Sequence, residues 1–204
     1  LLQHNMENSD YLKNLNENQL EAVKTINGPV MVFAGAGTGK TRTLISRIVY
    51  MIKECNIQPY NILAITFTKK ATNEMRERLE KQIDDNAKFV HISTIHSLCA
   101  NILRRNATHL DYGRNFEVID EEDQVKILNE IYKKSEINRR VLSPKVAIKA
   151  IGDFKNKSCL ELVGLLKTVY NEYQTFLKEN NMMDFEDLLV LTYKLFKDLR
   201  ILSK

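Results

Sequence analysis

The sequence predicts an α/β fold in which a parallel sheet is flanked by helices and interrupted by a helical insertion. Three short apolar runs have the length of strands, and a pattern with helical spacing follows each of them. From about residue 104 to residue 182 the pattern is helical. Strands that alternate with helices through short links are typical of a doubly wound sheet, which binds ligands at the carboxyl ends of its strands.

A glycine-rich turn joins the first apolar run, Val30–Phe33, to the first long helix pattern. The turn reads Ala34, Gly35, Ala36, Gly37, Thr38, Gly39, Lys40 and Thr41. Glycines allow a tight curve whose N–H groups point at phosphate oxygens, and the helix behind them adds unpaired donors and a positive dipole end. Lys40 would reach the β- and γ-phosphates, and the Thr41 hydroxyl would bind Mg²⁺. The strict phosphate-loop pattern has glycine in place of Ala34, so the residues alone leave open a turn that binds nothing.

Composition bounds the classes of protein to which this chain can belong. Its 204 residues are 44% hydrophobic and 27% charged, which is ordinary for a soluble globular protein. No apolar run approaches the roughly 20 residues that span a membrane, and no secretory signal pattern opens the chain. Three widely spaced cysteines suit neither a disulfide framework nor a zinc site, which favours the cytoplasm. A net charge of +4 permits an anionic partner without requiring one.

Local signals place the other elements of the first half. Asn16 and Gln19 form a predicted capping box at the start of a short helix. The near-continuous apolar run at 62–67 predicts a strand covered on both faces, and Thr68 caps the helix after it. The run at 89–94 predicts a third strand, followed by a helix that continues through residue 103.

The second half reads as a helical insertion with a return to the sheet domain. Asp120 and Ser143 are predicted N-caps, and the segment 158–161 is a predicted capping box that opens the longest helix. Asp184 precedes the last helix, where N-capping is a sufficient explanation for it. The one basic cluster of the insertion is better explained as a solvated face than as a contact with duplex DNA. It comprises Arg139, Arg140, Lys145 and Lys149.

Five motifs occur in a fixed order along residues 12–198. They are Leu15-Asn16-x-x-Gln19, Ala34 to Arg42, Thr66-Phe67-Thr68-Lys69-Lys70-Ala71-x-x-Glu74-Met75, Thr94-Ile95-His96-Ser97-Leu98-Cys99 and Met183-Asp184-Phe185-Glu186-Asp187-Leu188-Leu189. Together they closely resemble the first half of the UvrD/Rep/PcrA-type superfamily 1 DNA helicases. The resemblance implies a RecA-like P-loop NTPase domain, called 1A, over residues 1–103. It also implies a helical subdomain, called 1B, over residues 104–182 and an incomplete return to 1A over residues 183–204.

The resemblance implies roles for individual side chains. Gln19 would read the adenine edge of ATP, and Arg42 would lie near the base or sugar, while the loop residues keep the roles given above. Thr66, Phe67 and Lys69 resemble the first single-strand DNA motif, and Thr94, His96 and Ser97 resemble the second. A hydroxyl and a cation suit phosphates, and an aromatic face suits a stacked base. On the residues alone, Phe67 is as well explained by a core position and His96 by a structural hydrogen bond.

The resemblance also implies what the chain lacks. In the family, a carboxylate pair that holds Mg²⁺ and orients the attacking water follows later in the sequence. We therefore expect an N-terminal portion with the binding residues for ATP, Mg²⁺ and single-stranded DNA or its junctions. By itself it should bind nucleotide weakly at best, have negligible ATPase activity and not unwind DNA. The full-length protein would be a 3′-to-5′ DNA helicase of repair or replication. Its loading partners cannot be read from the sequence.

Three other functions stay open on the sequence. One is a nucleic-acid-binding module without catalysis. Another is the helicase half of a recombination helicase–nuclease, which a compact insertion fits less well. A small kinase would account for the phosphate loop alone and for none of the other motifs.

Overall fold

The computed structural model describes residues 10–35, 37, 39–157 and 161–198. The chain forms two compact units, the first ending at Ile95 and the second beginning at His96. The sequence analysis divides the chain differently, into a first segment of domain 1A, the helical subdomain 1B from residue 104 and a return to 1A from residue 183. That division stays a prediction.

The first unit contains three α-helices, two short 3-10 helices (Pro59–Asn61 and Asp84–Phe89) and a two-stranded sheet within its described residues. In chain order the α-helices and strands are α1 (Glu17–Lys24), α2 (Lys40–Lys53), β1 (Leu63–Thr66), α3 (Lys69–Ile83) and β2 (His91–Thr94). The two strands pair in parallel, with Leu63 opposite His91 and Thr66 opposite Thr94. Because the strands are parallel, with α3 as the crossover between them, both end at the same edge of the sheet. This crossover is the α/β pattern that the sequence predicts.

Aliphatic side chains of α2, α3 and the sheet form the core of this unit. The fully buried members are Val49, Leu79 and Ala87, and Val90 and Ile92 are nearly so. Burying a side chain of this size contributes roughly 1.5–3 kcal/mol. The core therefore fixes α2, which carries Lys40, Thr41 and Arg42, and α3, which begins at Lys69.

The predicted strand over Val30–Phe33 is wrong. This segment has no regular secondary structure, and Met31 and Phe33 are 79% and 91% exposed. A strand needs a neighbour that satisfies its N–H and C=O groups, and the described part of the chain provides this segment with none. The expectation that the second run is covered on both faces is also wrong, because Leu63 and Ile65 are about half exposed.

The second unit is helical apart from one short strand pair. Its described α-helices and strands are α4 (Ile95–Asn106), which continues directly from β2, then β3 (Glu117–Val118), α5 (Glu121–Lys134), α6 (Pro144–Lys155), α7 (Gly164–Glu179), β4 (Met182–Met183) and α8 (Phe185–Lys197). A 3-10 helix, Ala107–Leu110, follows α4. Strands β3 and β4 pair in parallel, with Val118 opposite Met183. This short pairing brings the chain ahead of α5 beside the chain ahead of α8.

Most of the predicted helix starts are confirmed. The side chains of Asp120, Ser143 and Asp184 each accept a hydrogen bond from the backbone N–H three residues on, as N-caps do. The longest helix starts at Gly164, later than predicted, and no side chain caps it. Residues 158–160 of the predicted capping box lie outside the described residues.

Two apolar clusters fill the second unit. One packs α5, α6 and α7 together around Leu128, Ile151 and Tyr173. The other joins α4 to β4 and α8 around Leu103, Phe116 and Met183. Among the described helices of both units, none is long and apolar enough to cross a membrane.

Candidate nucleotide and DNA sites

The glycine-rich loop leads directly into α2. Gly37 and Gly39 have φ angles of 76° and 83°, a left-handed conformation that glycine adopts without strain. Gly39 is the N-cap of α2, and no side chain caps that helix end. The first N–H groups of α2 therefore keep their donor capacity, which is the property that a phosphate site uses. Ala36 and Thr38 lie outside the described residues.

Lys40 is the first residue of α2, and its side chain turns back over the loop. Its ammonium donates to the carbonyl oxygens of Ala34 and Gly35, at 3.0 and 3.1 Å. Carbonyl oxygens are weak partners for a cation, so the oxygens of a phosphate would bind this ammonium more strongly. The geometry places the positive charge of Lys40 at the mouth of the loop.

Thr41 stands one residue further along α2 and is half-buried. Its hydroxyl makes no hydrogen bond with any described residue. Mg²⁺ in nucleotide sites takes few protein oxygens and completes its shell with phosphates and water. A single hydroxyl beside the glycine-rich loop fits that requirement. The described residues contain no cluster of three or more His, Cys, Asp or Glu residues that would form a cage for a metal ion.

Gln19 lies beside the loop. The predicted capping box is confirmed, since the Gln19 N–H donates to Asn16 Oδ1 at 2.9 Å and Gln19 Oε1 accepts from the Asn16 N–H at 3.0 Å. A Cβ atom placed on Gly39 would lie 3.3 Å from Gln19 Nε2. The cap of α1 thus holds the Gln19 amide against the loop, and an amide both donates and accepts hydrogen bonds.

Arg42 lines a cavity of about 350 Å³ in the first unit, next to α3. Arg78 and Lys81 of α3 line the same cavity, and within the described residues these three cations make no hydrogen bond or ion pair. Asp10 and Lys13 also line the cavity and pair with each other, so the lining keeps an excess of positive charge, which favours an anion. The sequence singled out Arg42 but gave no signal for Arg78 and Lys81, because their approach to Arg42 depends on the packing of α3 on α2.

The carboxyl end of β1 carries the first set of predicted DNA-binding residues. Phe67 follows the strand and is fully exposed, and Lys69 begins α3. Thr66 is buried, and its hydroxyl lies 2.6 Å from that of Thr72 and donates to the Thr68 carbonyl at 3.1 Å. The exposed Phe67 contradicts the core explanation for this residue. The role of the Thr66 hydroxyl in the structure is to shape the turn between β1 and α3.

The carboxyl end of β2 carries the second set. Thr94 is the register partner of Thr66, so the ends of both strands lie side by side in the first unit. His96 and Ser97 follow in the first turn of α4 and are half-buried. In the second unit the imidazole of His96 stacks on the ring of Phe185, with centroids 4.0 Å apart and an angle of 28° between the planes. The sequence did not predict this pairing, which joins residues far apart in the chain.

Comparison with known proteins decides the family. The model of the UvrD/REP helicase N-terminal domain matches residues 15–204. The chain belongs to the UvrD/REP helicase family. It is similar to the ATP-dependent DNA helicases PcrA of Staphylococcus aureus (strains Mu50 and NCTC 8325) and Staphylococcus epidermidis (strain RP62A), at 41% identity over 196 residues. The match covers 91% of this chain, and the chain spans 27% of each relative. The resemblance drawn from the motifs is thus confirmed.

In this UvrD/REP-type chain the last motif surrounds a buried ion-pair cluster. Lys155, at the end of α6, is 2.5 Å from Asp184 Oδ2 and 2.8 Å from Asp187 Oδ1. The side chains of Lys155, Asp184 and Asp187 are 3%, 1% and 6% exposed. Asp184 is therefore an N-cap and also one half of a buried ion pair. Sequence reasoning found the cap but missed Lys155, since nothing local marks the lysine as buried.

Neutral donors complete the cluster. Tyr173 donates to Asp184 Oδ2 at 3.0 Å, and Gln124 lies 2.8 Å from the Tyr173 hydroxyl and 3.3 Å from the same carboxylate oxygen. Burial raises the pKa of Asp187 to about 6, although Lys155 opposes the shift. Burial also raises the pKa of Tyr173, and the Asp184 charge adds to that effect. Both shifts follow from placing two carboxylates and one ammonium in a site with little access to water.

Proposed function

We propose that this chain is the ATP- and single-strand-DNA-binding portion of an ATP-dependent DNA helicase. The observation that carries the proposal is the placement of the loop cation, Lys40, with the Gln19 amide held beside the same loop. The family membership and the similarity to PcrA helicases support the same function.

The loop, Lys40 and Thr41 form the phosphate end of the proposed nucleotide site. The N–H groups at the start of α2 and the Lys40 ammonium bind the phosphate oxygens, and the Thr41 hydroxyl holds the Mg²⁺ that accompanies ATP. Bound Mg²⁺ neutralises charge on the phosphates. Gln19 recognises the adenine edge, and Arg42 lies along the base or sugar.

The proposed DNA surface lies at the carboxyl ends of β1 and β2. Phe67 offers an exposed face on which a base stacks, and Lys69 offers a charge to a neighbouring phosphate. Thr94 is the last residue of β2, and His96 and Ser97 lie in the first turn of α4. Support for this surface comes from the exposure of Phe67 and the side-by-side strand ends.

Unwinding is proposed for a full-length protein that contains these residues. The chain spans 27% of the PcrA relatives. We therefore assign the carboxylates that hydrolysis needs, and the residues that complete the other side of the nucleotide site, to the rest of the full-length protein. By resemblance the motor moves 3′ to 5′ and acts at single-strand–duplex junctions in repair or replication. The 204-residue chain by itself then binds its ligands without unwinding DNA.

A lysine substitution tests the nucleotide site. We expect Lys40→Ala to abolish binding of a fluorescent ATP analogue with Mg²⁺ by the 204-residue chain, because the loop loses its cation. In the full-length protein the same change should reduce DNA-stimulated ATPase activity to background. Lys24→Ala removes an exposed charge at the end of α1 and is the matched control. Near-normal ATPase activity in Lys40→Ala would overturn the assignment, and tight DNA binding without any ATP effect would favour a non-catalytic binding module.

A further inference from the structure

The buried cluster of the second unit lies one residue away from an aromatic stack. Asp184 is the N-cap of α8, Asp187 is its capping-box partner, and Phe185 is the first residue of the helix. Both carboxylates bind Lys155, which stands at the end of α6. The ring of Phe185 covers the imidazole of His96 on α4. A single buried ammonium is thus connected, through one helical turn, to a predicted DNA-binding side chain.

The cluster is built more heavily than an N-cap requires. An N-cap needs one accepting oxygen, which Asp184 supplies through Oδ1 to the Asp187 N–H at 2.9 Å. The second oxygen, Oδ2, accepts from Lys155, Tyr173 and Gln124, which belong to three different helices. A buried ion pair of this kind contributes little net stability compared with apolar packing, and its best-attested use is to specify one arrangement. The arrangement specified here is that of the first turn of α8.

We propose that Lys155 is a positioning residue: through Asp184 and Asp187 it fixes the first turn of α8, so that Phe185 holds the His96 imidazole in one orientation for nucleic acid. The orientation of His96 follows from contacts within the second unit. Its use in binding DNA rests on the function proposed above. The two parts are therefore tested by separate measurements.

The first measurement is the NMR spectrum of the His96 ring in the 204-residue chain without DNA, at pH 8. A ring stacked at 4.0 Å shifts the imidazole protons upfield, and Phe185→Leu identifies this shift by removing it. Lys155→Met keeps the length of the side chain and removes its charge, and we expect the His96 signals to move most of the way to their Phe185→Leu positions. Lys155→Arg retains the charge and should retain the signals. Lys167→Met, an exposed lysine on α7, should leave them unchanged.

A double variant addresses the loss of folding that two uncompensated carboxylates cause. Lys155→Met with Asp187→Asn leaves one buried carboxylate, which keeps its hydrogen bonds from Tyr173 and Gln124. Asn can still accept the capping hydrogen bond from the Asp184 N–H. This variant breaks the connection to α6 while the cap remains. Unchanged His96 signals in the double variant, with a normal far-UV spectrum, would overturn the proposal.

The second measurement is affinity for a labelled oligothymidylate by fluorescence anisotropy. We expect the double variant to bind about 3- to 10-fold more weakly than the parent. In a His96→Ala background the same pair of substitutions should cause no further loss, because it acts through His96. Full additivity with His96→Ala would contradict action through the imidazole. If His96→Ala itself leaves binding unchanged, the DNA role of His96 fails, while the NMR result still decides the positioning role.

Discussion

Single residues determine the conformation and packing of the glycine-rich loop. Gly39 combines a left-handed backbone with a close neighbour, because a Cβ at this position would lie 3.3 Å from Gln19 Nε2. Gly28 has a similar φ of 79° but nothing within 4 Å. The left-handed backbone therefore explains both glycines, while the close approach to Gln19 is found at Gly39 and not at Gly28. The loop and the Gln19 amide form one tightly packed arrangement.

Phe67 supplies the prediction at this scale. We expect Phe67→Ala to weaken binding of single-stranded DNA by about 1–3 kcal/mol, since one base loses its aromatic partner. The free energy of unfolding should change little, because a fully exposed ring buries nothing. Anisotropy titrations and urea melts measure the two effects. Tyr60→Ala removes an exposed aromatic ring before the start of β1 and is the matched control. A loss of stability without a loss of affinity would contradict a stacking role.

Helix starts were predictable from sequence because their causes are local. Asn16 with Gln19 and Asp184 with Asp187 satisfy N–H groups within four residues of themselves. The capping box at Asn16 and the N-cap at Asp184 form as predicted, and the structure adds Asp187 as the capping-box partner of Asp184. The strand over Val30–Phe33 failed for the opposite reason, because a strand depends on a partner elsewhere in the chain. The sequence did not predict the burial of Lys155 for the same reason. Its burial depends on the packing of α6 against α7 and α8, which no local pattern records.

The buried cluster gives the pH prediction at the scale of elements. The folded chain raises the pKa of Asp187 from 3.8 to about 6, so between pH 4 and 6 the folded state binds more protons than the unfolded state. This group's contribution to stability is present in full below about pH 4 and is lost as the pH rises through about 6. A two-unit shift limits the change to about 3 kcal/mol. Burial and the neighbouring Asp184 charge raise the pKa of Asp187, and the Lys155 charge opposes them.

Urea unfolding at several pH values between 4.5 and 7 measures this contribution. Asp187→Asn cannot titrate but can still accept the capping hydrogen bond from the Asp184 N–H. The stability of the parent relative to this variant should therefore decrease as the pH rises across that range. A constant difference between the two proteins would show that Asp187 does not take up a proton in this range. The absolute stabilities do not enter the test, because the variant also loses an ion pair with Lys155.

At the scale of the whole chain, the predicted roles divide unequally between the two compact units. All of the proposed nucleotide residues, from Gln19 to Arg42, belong to the first unit. The proposed DNA residues belong to both, since Phe67 and Thr94 precede Ile95 and His96 follows it. The sequence predicted this assignment of chemistry because each motif is contiguous. It could not predict the His96–Phe185 stack, which depends on how α4 and α8 pack within the second unit.

Hydrogen exchange on the 204-residue chain tests this division directly. A ligand that binds the folded state slows the opening of the elements that hold it. We expect MgATP to protect amides of α1 and the start of α2 and to leave α5, α6 and α7 unchanged. A single-stranded oligonucleotide should instead protect the amide of Phe67 in the first unit and the first turn of α4 in the second. Lys40→Ala should remove the MgATP effect and retain the oligonucleotide effect. Protection of α5–α7 by MgATP alone would place the nucleotide in the second unit and contradict the site built from the glycine-rich loop.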